Sequence, residues 1–333
     1  GDAMTIINCD MGESFGLYNM GDDAALMPHI TVANVACGFH ASDPNHMRTT
    51  CKLAKAHGVK VGAHPSLPDL AGFGRRKMDI PREELANILI YQIGALQGFL
   101  AAEGMEMSHI KPHGALYGMA ARDEAVAHAG ADAAEIFGLP VMGMTGTLHA
   151  EVYPARGIGF IAEIYADLDY ADDGFIIITR EHPALDPAVV GEKCLRAVRD
   201  GVTNSVSGKE VTVKADAICV HSDTPNASDI AAAVKSAVAP YLKAACSFLL
   251  PPDTFFMAQI RSSLPGTFYR RPAPDQPAFK EAGDSVAVGD VIGLVEVMKT
   301  FTEVKSDVAG TIKEFLVDNE EPVTAGMPLA EVE

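Results

Sequence analysis

A regular alternation of two kinds of sequence run constrains the fold of the first 247 residues. Short apolar runs typical of buried β-strands are separated by longer amphipathic runs typical of α-helices. Strand–helix alternation of this kind predicts parallel βα units, and seven or eight such units favour a closed barrel over an open sheet. The predicted strands are Thr5–Cys9, Thr31–Cys37, Val59–Ala63, Ser108–Lys111, Leu139–Met144, Gly159–Ile164 and Ala217–Val220.

Helix-start signals support these βα units. The run Pro44–His57 follows a Ser42-Asp43 cap and has proline at its first helical position, and Asp79 introduces Pro81–Glu103 in the same way. Further helices are predicted at Asp186–Arg199 and Ser228–Val238.

The pattern changes near residue 250, where a linker is predicted at 248–258 between a barrel domain at 4–247 and a second domain at 259–333. In the second domain, short alternating strands are separated by Gly and Asp turns. The stretches 283–297 and 319–332 resemble each other, since each has an acidic turn, a Val, a turn Gly and a strand that ends Glu-Val. An internal half-repeat in an all-β segment predicts a small, pseudo-symmetric β sandwich.

The composition argues against several kinds of partner. The formal net charge is −18 and no basic stripe could replace the counterions of a nucleic acid, so no nucleic acid is expected. No apolar run reaches the roughly 18 residues of a membrane span, so no membrane is expected either. The chain shows no signal peptide and its six cysteines form no CxxC pair, which predicts a cytoplasmic protein with buried thiols. A Walker-type ATP site is absent from the sequence.

A lysine lies at the centre of the second domain. Val295–Val304 alternates on both sides of Met298-Lys299, which predicts a hairpin with these two residues at its tip. An ordinary exposed turn lysine is the alternative interpretation. The domain, however, resembles biotin carboxyl carrier domains over its whole length. The resemblance includes Gly266–Arg270, Pro272–Asp275, Gly283-Asp284, Gly289-Asp290 and Glu296–Lys299.

This resemblance implies covalent biotin on Lys299, with Met298 beside it, and a biotin ligase as a partner. The Pro272–Asp275 insertion resembles the thumb of carriers from acetyl-CoA carboxylase. Val297 departs from the pattern, where the family has Ala, and so does Leu264-Pro265, where Met-Val is common. Lipoate is the alternative cofactor, but its carriers have Asp before the lysine.

Polar clusters follow five of the predicted strands. Because the carboxyl ends of parallel barrel strands form one rim, we expect these clusters to converge on one pocket. A lone histidine after a strand is most often structural, but four in register favour a functional pocket. The clusters supply the histidines His40, His64, His113 and His221 and the carboxylates Asp10, Glu13, Asp43 and Asp223.

The remaining histidines are interpreted as surface or packing residues, namely His29, His46, His57, His109, His128, His149 and His182. The run Gly72–Arg76 is interpreted as a mobile rim loop whose Arg75 and Arg76 bind an anion.

The five clusters, in this order, closely resemble the LamB/YcsF family, also called the 5-oxoprolinase A-subunit family, over roughly residues 4–245. The resemblance implies a seven-stranded TIM-like β/α barrel related to sugar deacetylases. It also implies an activity, the ATP-dependent opening of the lactam 5-oxoproline to glutamate together with two partner subunits. The family's motif positions fall on Asp10, Glu13, His40, Asp43, His64, Lys111 and His113. Two departures are Leu168, where the family has Arg, and Ser222, where it has Gly.

The leading hypothesis joins the two domains in one biotin-dependent lactam hydrolase. A separate biotin carboxylase would use ATP and bicarbonate to form carboxybiotin on Lys299, and two carboxyltransferase-like partner subunits would carboxylate the lactam. The barrel would then open the activated ring. In it, Asp10 or Glu13 would act as general base, while Lys111 or His113 would stabilise the oxyanion. The substrate-binding residues would be Asp43, Arg75, Arg76, His221 and Asp223.

Two alternatives stay open. The barrel could be a docking module in a carrier or scaffold subunit, with catalysis in the partners. It could also be a metal-dependent, deacetylase-like amidohydrolase, with a divalent ion held by Asp10, His40 and His64. The sequence leaves open whether the lactam is activated by carboxylation or by phosphorylation.

Overall fold

The computed structural model describes residues 4–177, 183–242, 258–273, 275–297, 299–324 and 326–332. The chain divides into two compact units, Gly1–Leu249 and Leu250–Glu333, and each has its own apolar core. Of the linker predicted at 248–258, only Ala258 lies within the described residues.

Seven parallel strands of the first unit close into a barrel. Around the barrel they lie in the order β1-β7-β6-β5-β4-β3-β2. The predicted seven-stranded, TIM-like barrel is therefore confirmed, and every predicted barrel strand is present. The strands are β1 (Ile6–Met11), β2 (Val32–Ala36), β3 (Lys60–His64), β4 (Met107–Ile110), β5 (Val141–Gly143), β6 (Phe160–Tyr165) and β7 (Ala217–Val220).

Eight helices follow or connect these strands. The predicted cap of α2 is present, because the Asp43 side chain accepts hydrogen bonds from the backbone N–H groups of Asn45 and His46. The prediction that Asp79 introduces α3 as a cap is wrong, because Pro81 occupies the N-cap position and makes no side-chain cap bond. The helices are α1 (Asp23–Leu26), α2 (Pro44–Ala56), α3 (Arg82–Ala102), α4 (Gly114–Ala120), α5 (Glu124–Phe137), α6 (Leu148–Ala155), α7 (Pro187–Asp200) and α8 (Ala227–Ala237).

Helix α3 is long and apolar enough to cross a membrane by length and composition, the one such helix among the described residues. A core helix of a soluble protein passes the same test. Leu89, Ile93 and Leu96 of α3 are buried in the main apolar core of the barrel unit, so packing on the barrel accounts for the apolar character of this helix.

The two faces of the barrel strands have different chemistry. In β1, Ile7, Cys9 and Met11 belong to the main apolar core, whereas Asn8 and Asp10 are buried polar residues. Alternation along a strand places Ile6, Asn8 and Asp10 on one face. An apolar cluster near the amino ends of the strands closes that end of the barrel and leaves its carboxyl ends polar. The cluster contains Ile6, Val32, Met142, Ile161 and Ala217.

The second unit consists of two four-stranded antiparallel sheets, in the orders β8-β15-β13-β10 and β12-β11-β9-β14. Phe268, Ile292 and Ile312 are among its fully buried residues. The strands are β8 (Ala258–Arg261), β9 (Gly266–Tyr269), β10 (Ser285–Val286), β11 (Val291–Val297), β12 (Thr300–Lys305), β13 (Gly310–Phe315), β14 (Glu321–Val323) and β15 (Pro328–Val332).

The half-repeat is visible in how these strands are shared between the sheets. In the first half, β10 belongs to the first sheet and β11 to the second. In the second half the order is reversed, because β14 belongs to the second sheet and β15 to the first. A glycine with positive φ makes the turn in each half, Gly289 at 94° and Gly326 at 83°, a conformation that glycine adopts without strain. The predicted pseudo-symmetric all-β domain is confirmed.

Candidate functional site

The predicted clusters lie together at the carboxyl ends of the barrel strands. Asp10 and His64 lie at the ends of β1 and β3, Lys111 and His113 follow β4, and His221 follows β7. These residues line a cavity of about 90 Å³. The lining comprises Asp10, Glu13, His64, Phe73, Arg75, Lys111, Pro112, His113, Gly114, Tyr117, Tyr165, Leu168, Ile176, His221, Ser222 and Asp223.

Three buried histidines form one side of the site. The rings of His40 and His113 are stacked with centroids 3.6 Å apart, and His64 meets both rings edge-on. Glu13 Oε1 lies 3.0 Å from His40 Nε2 and 3.6 Å from His113 Nδ1. Burial, reinforced by neighbouring rings, holds the pKa of His40 and His113 well below the ordinary value, whereas burial raises the pKa of Glu13.

Lys111 is the buried cation at the base of the cavity. Its Nζ lies 3.2 Å from Asp10 Oδ1, 3.3 Å from Glu163 Oε2 and 3.1 Å from Cys219 Sγ. Burial opposes the charge on Lys111, but Asp10 and the other nearby groups outweigh it and raise its pKa well above the ordinary value. Burial likewise opposes ionisation of Asp10, but His64 and Lys111 hold the pKa of Asp10 well below its usual range. Asp10 is therefore an anion with little affinity for a proton.

A second carboxylate and two tyrosines extend this network, and none of the three was predicted from the sequence. Glu163 on β6 accepts a hydrogen bond of 3.0 Å from the Tyr165 hydroxyl, and the hydroxyls of Tyr165 and Tyr117 are in contact. Burial raises the pKa of both tyrosines well above the ordinary value, so their hydroxyls stay protonated. Both tyrosines line the cavity, and the single hydroxyl proton of Tyr165 is already donated to Glu163.

His221 is held by Asp167, a partner that was likewise not predicted. Asp167 Oδ1 lies 2.8 Å from His221 Nδ1, and Asp167 Oδ2 accepts from the His221 backbone N–H at 2.7 Å. Burial opposes charge on His221, but Cys219 and Asp167 outweigh it and raise its pKa well above the ordinary value. Burial also opposes ionisation of Asp167, but His221 lowers its pKa. The two residues form an ion pair at the cavity wall, with Asp167 buried and His221 partly exposed.

The residues predicted to bind substrate separate into four environments, one of which is the His221–Asp167 pair just described. Arg75 Nη2 lies 2.9 Å from Asp223 Oδ2. These residues follow β3 and β7, which are separated by two strands on one side of the barrel and three on the other. The ion pair therefore spans the mouth of the cavity.

Arg76 and Asp43 lie elsewhere. Arg76 pairs with Asp69 outside the cavity lining, so of the two arginines predicted to bind an anion only Arg75 lines the cavity. Asp43 caps α2 and accepts a hydrogen bond of 2.8 Å from Gly16 N, so it positions the loop after β1 and is not part of the lining.

The possible metal ligands also differ from the predicted set. Atoms of Glu13, His40, His64 and His113 lie within 4.8 Å of one another, whereas Asp10 groups with Cys219 and His221. The set Asp10, His40 and His64 is therefore replaced by one in which Glu13 and His113 take the place of Asp10.

Two histidines interpreted as surface or packing residues are buried and hydrogen-bonded. His109 Nε2 lies 2.6 Å from Asn34 Oδ1, and burial lowers its pKa to about 3. His149 Nε2 lies 3.1 Å from the Tyr117 carbonyl oxygen, and burial lowers its pKa to about 4. Both are packing residues behind the site, and His182 lies outside the described residues.

In the second unit, Lys299 lies at the predicted hairpin tip. Strands β11 and β12 pair from Val297 and Thr300 onward, which leaves a two-residue loop. Lys299 is exposed and has φ of 65°, in the left-handed region that costs a non-glycine residue of the order of 1 kcal/mol. The predicted hairpin is confirmed, and Met298, the other tip residue, lies outside the described residues.

The tip is supported from one side. Tyr269 donates a hydrogen bond of 2.8 Å to Glu296 Oε2, and the Tyr269 and Phe301 rings lie 5.6 Å apart. An exposed lysine on a two-residue turn braced in this way is accessible to a modifying enzyme.

Comparison with known proteins covers both units. The LamB/YcsF family matches residues 6–244, and a family described as biotin-requiring enzyme matches residues 258–332. The chain is 44% identical over 239 residues to the 5-oxoprolinase A-subunit of Syntrophobacter fumaroxidans, covering 70% of this chain and 94% of that protein. It is 46% identical over 226 residues to the 5-oxoprolinase A-subunit of Staphylococcus aureus, covering 66% and 90% respectively.

A solved structure is also similar. The lactam utilization protein from Thermus thermophilus is 40% identical, with a TM-score of 0.68, and the match covers 72% of this chain and 98% of that one. The relatives named as subunits imply a multi-subunit enzyme that acts on a lactam. The chain therefore belongs to the LamB/YcsF family and carries an additional biotin-lipoyl domain at its C-terminal end.

Proposed function

We propose that this chain is a subunit of an ATP- and biotin-dependent 5-oxoprolinase, in which the barrel opens an activated lactam and Lys299 carries biotin. The observation that carries the proposal is the presence, in one chain, of a pocket lined by histidines and carboxylates and of an exposed hairpin lysine in a biotin-lipoyl domain. A lactam is a poor electrophile because its nitrogen lone pair is delocalised into the carbonyl, so ring opening at neutral pH needs activation. Biotin, when bound, supplies a transferable carboxyl group.

Glu13 is the proposed general base, in place of Asp10. Of these two carboxylates Glu13 has the raised pKa, so it can take a proton from water, whereas Asp10 is held ionised by Lys111 and His64. Asp10 instead stabilises the protonated, charged form of Lys111.

Ring opening also needs a positive group for the oxyanion and a proton for the nitrogen that leaves. The Lys111 ammonium lines the cavity and is held charged, so it can stabilise the oxyanion. His221 is held protonated by Asp167 and can donate a proton to the lactam nitrogen when the C–N bond breaks.

Arg75 is the proposed anchor for the carboxylate of 5-oxoproline. Its partner Asp223 lies on the opposite side of the cavity mouth, and both side chains are partly exposed. A substrate carboxylate can replace Asp223 on the guanidinium, which offers a paired set of N–H donors. The ion pair thus keeps the Arg75 guanidinium at the cavity mouth until the substrate carboxylate replaces Asp223.

The proposed partners are two carboxyltransferase-like subunits, a biotin carboxylase and a biotin ligase, in the cytoplasm. The five cysteines in the described part of the chain are unpaired, which supports a reducing compartment. A docking role without catalysis is disfavoured, because a cluster of buried charges costs stability that a docking module need not spend.

The test is glutamate release by the purified biotinylated chain with 5-oxoproline, ATP and bicarbonate, before and after the partner subunits and the carboxylase are added. We expect no glutamate from the chain alone, and release that requires bicarbonate once the partners are present. Release from the chain alone would contradict the proposal. If release requires the partners but neither bicarbonate nor Lys299, phosphorylation becomes the activating step.

A further inference from the structure

The histidine side of the cavity contains ring nitrogens whose protons can be assigned from their backbone partners. His64 Nδ1 lies 2.7 Å from the Lys111 carbonyl oxygen, and His113 Nε2 lies 2.8 Å from the Phe73 carbonyl oxygen. A carbonyl oxygen only accepts, so both of these outer nitrogens carry hydrogen.

The inner nitrogens of the same rings consequently face each other as lone pairs in the neutral tautomers. His113 Nδ1 and His64 Nε2 are 2.9 Å apart. Two carboxylate oxygens border this gap, since Asp10 Oδ2 lies 3.3 Å from His64 Nε2 and Glu13 Oε1 lies 3.6 Å from His113 Nδ1. Four electron-rich atoms this close in a buried place favour a positive species among them, either a proton or a metal cation.

We propose that this species is a divalent cation of the zinc class, held by Glu13, His40, His64 and His113. Histidine nitrogens and a carboxylate oxygen are the ligands that such an ion prefers. The outer nitrogens of His64 and His113 donate to backbone carbonyls, the arrangement that fixes the ring and tautomer of metal-binding histidines.

A shared proton would fit these contacts less well than an ion does. It would bridge the two inner nitrogens of His64 and His113, whereas four residues present ligand atoms within 4.8 Å of one another. His40 adds a further sign, because its buried Nδ1 has no hydrogen-bond partner among the described residues. An ion between the rings can be bound by one ligand atom from each of the four residues.

The other group of possible ligands, Asp10, Cys219 and His221, does not support a second ion. Lys111 Nζ already lies 3.2 Å from Asp10 Oδ1 and 3.1 Å from Cys219 Sγ. A cation thus occupies the place where a metal ion would sit, and the proposal is confined to the histidine cluster.

The ion does not depend on the proposed lactam reaction, because the site is defined by binding. Glu13 contacts His40 and His113 through Oε1. A bound ion holds this carboxylate as an anion, so the general-base role of Glu13 belongs to the ion-free site. Such an ion polarises a carbonyl or a water molecule.

The test is direct binding of Zn²⁺ to the full-length, tag-free chain after treatment with a chelator. Calorimetry and metal analysis should give one ion per chain, and Co²⁺ should give an absorption spectrum of a site with nitrogen and oxygen ligands. His64→Ala and His113→Ala should each weaken binding at least about a hundredfold. His57→Ala, which removes an exposed histidine from the end of α2, should bind like the wild type.

Glu13→Gln keeps the shape of the side chain and serves if an alanine variant fails to fold; it too should weaken binding. Absence of stoichiometric binding, or binding that is equal in His57→Ala, His113→Ala and Glu13→Gln, would overturn the site. Since the readout is binding, a chain that binds Zn²⁺ but fails the glutamate assay refutes only the proposed reaction. A chain that releases glutamate with its partners but shows no stoichiometric Zn²⁺ binding refutes only this site.

Discussion

The barrel cavity and the Lys299 hairpin are stabilised in opposite ways. In the cavity, Lys111, Asp10 and Glu163 come from three different strands or strand ends and hold each other charged while buried. At the hairpin, Lys299 needs exposure and an unusual backbone conformation, and its two neighbouring strands supply both. A buried site therefore depends on many distant residues, whereas the hairpin depends on a local turn.

The largest effect expected from this comparison is at the hairpin. Lys299→Arg should abolish biotinylation and all glutamate release by the reconstituted enzyme, because no other amine is presented on this turn. Thermal melting should be nearly unchanged, since Lys299 is exposed. Lys305→Arg, in the same hairpin, is the matched control and should retain both properties. Intact mass and a streptavidin blot measure the modification, and a Lys299→Arg chain that still binds streptavidin contradicts the assignment.

A substitution in the cavity, Lys111→Met, should lower the stability of the barrel without affecting the hairpin. Lys111→Met leaves Asp10 and Glu163 buried without their cation, which costs about 3–5 kcal/mol of barrel stability. Biotinylation of Lys299 should continue, and turnover should fall below detection. Chemical unfolding of the barrel measures the loss, with Lys77→Met as an exposed control. Equal stability of Lys111→Met and the wild type would show that the network contributes nothing to folding.

A smaller effect is expected from the Asp167–His221 pair. The pKa of His221 is raised, so its protonated form and the associated stability are complete below its unfolded value of about 6.5 and are lost as pH rises through the folded pKa. Activity that uses this proton should therefore persist at neutral pH and decline on the alkaline side. Asp167→Asn should move that decline to lower pH in a kcat profile. An unchanged profile would remove His221 as the acid.

These effects also indicate what the sequence could and could not predict. The strands, the closed barrel and the half-repeat were predictable because each has a local period or turn signal. Residues such as Asp10 and His64 were predictable because they follow strands. Asp167 and Glu163 were not, because their roles depend on contacts with His221 and Lys111, which are 54 and 52 positions away in the chain.

The separation of Arg75 from Arg76 shows the same limit. Adjacent arginines in one loop look equivalent in sequence, but Asp69 and Asp223 direct them to different places. Tyr117 and Tyr165 likewise lie in ordinary helix and strand patterns, and only the structure brings their hydroxyls into contact.

The smallest effect concerns these two arginines. Arg75→Ala should raise KM for 5-oxoproline by about ten- to a hundredfold, the value of a charge-assisted contact of roughly 1.5–3 kcal/mol. It should change KM much less for a lactam without a carboxylate. Arg76→Ala should leave KM nearly unchanged, because Arg76 lies outside the cavity lining. Equal effects of the two variants on KM would refute Arg75 as the carboxylate anchor.

The central claim is that biotin chemistry activates the lactam which the barrel then opens. The most direct measurement follows ¹⁸O from the ring carbonyl of 5-oxoproline during turnover by the reconstituted enzyme. If the lactam is carboxylated on nitrogen and then hydrolysed, the label stays in the side-chain carboxylate of glutamate and none reaches inorganic phosphate. Transfer of the label to phosphate would mean that the carbonyl oxygen itself was phosphorylated, and it would contradict activation by carboxylation.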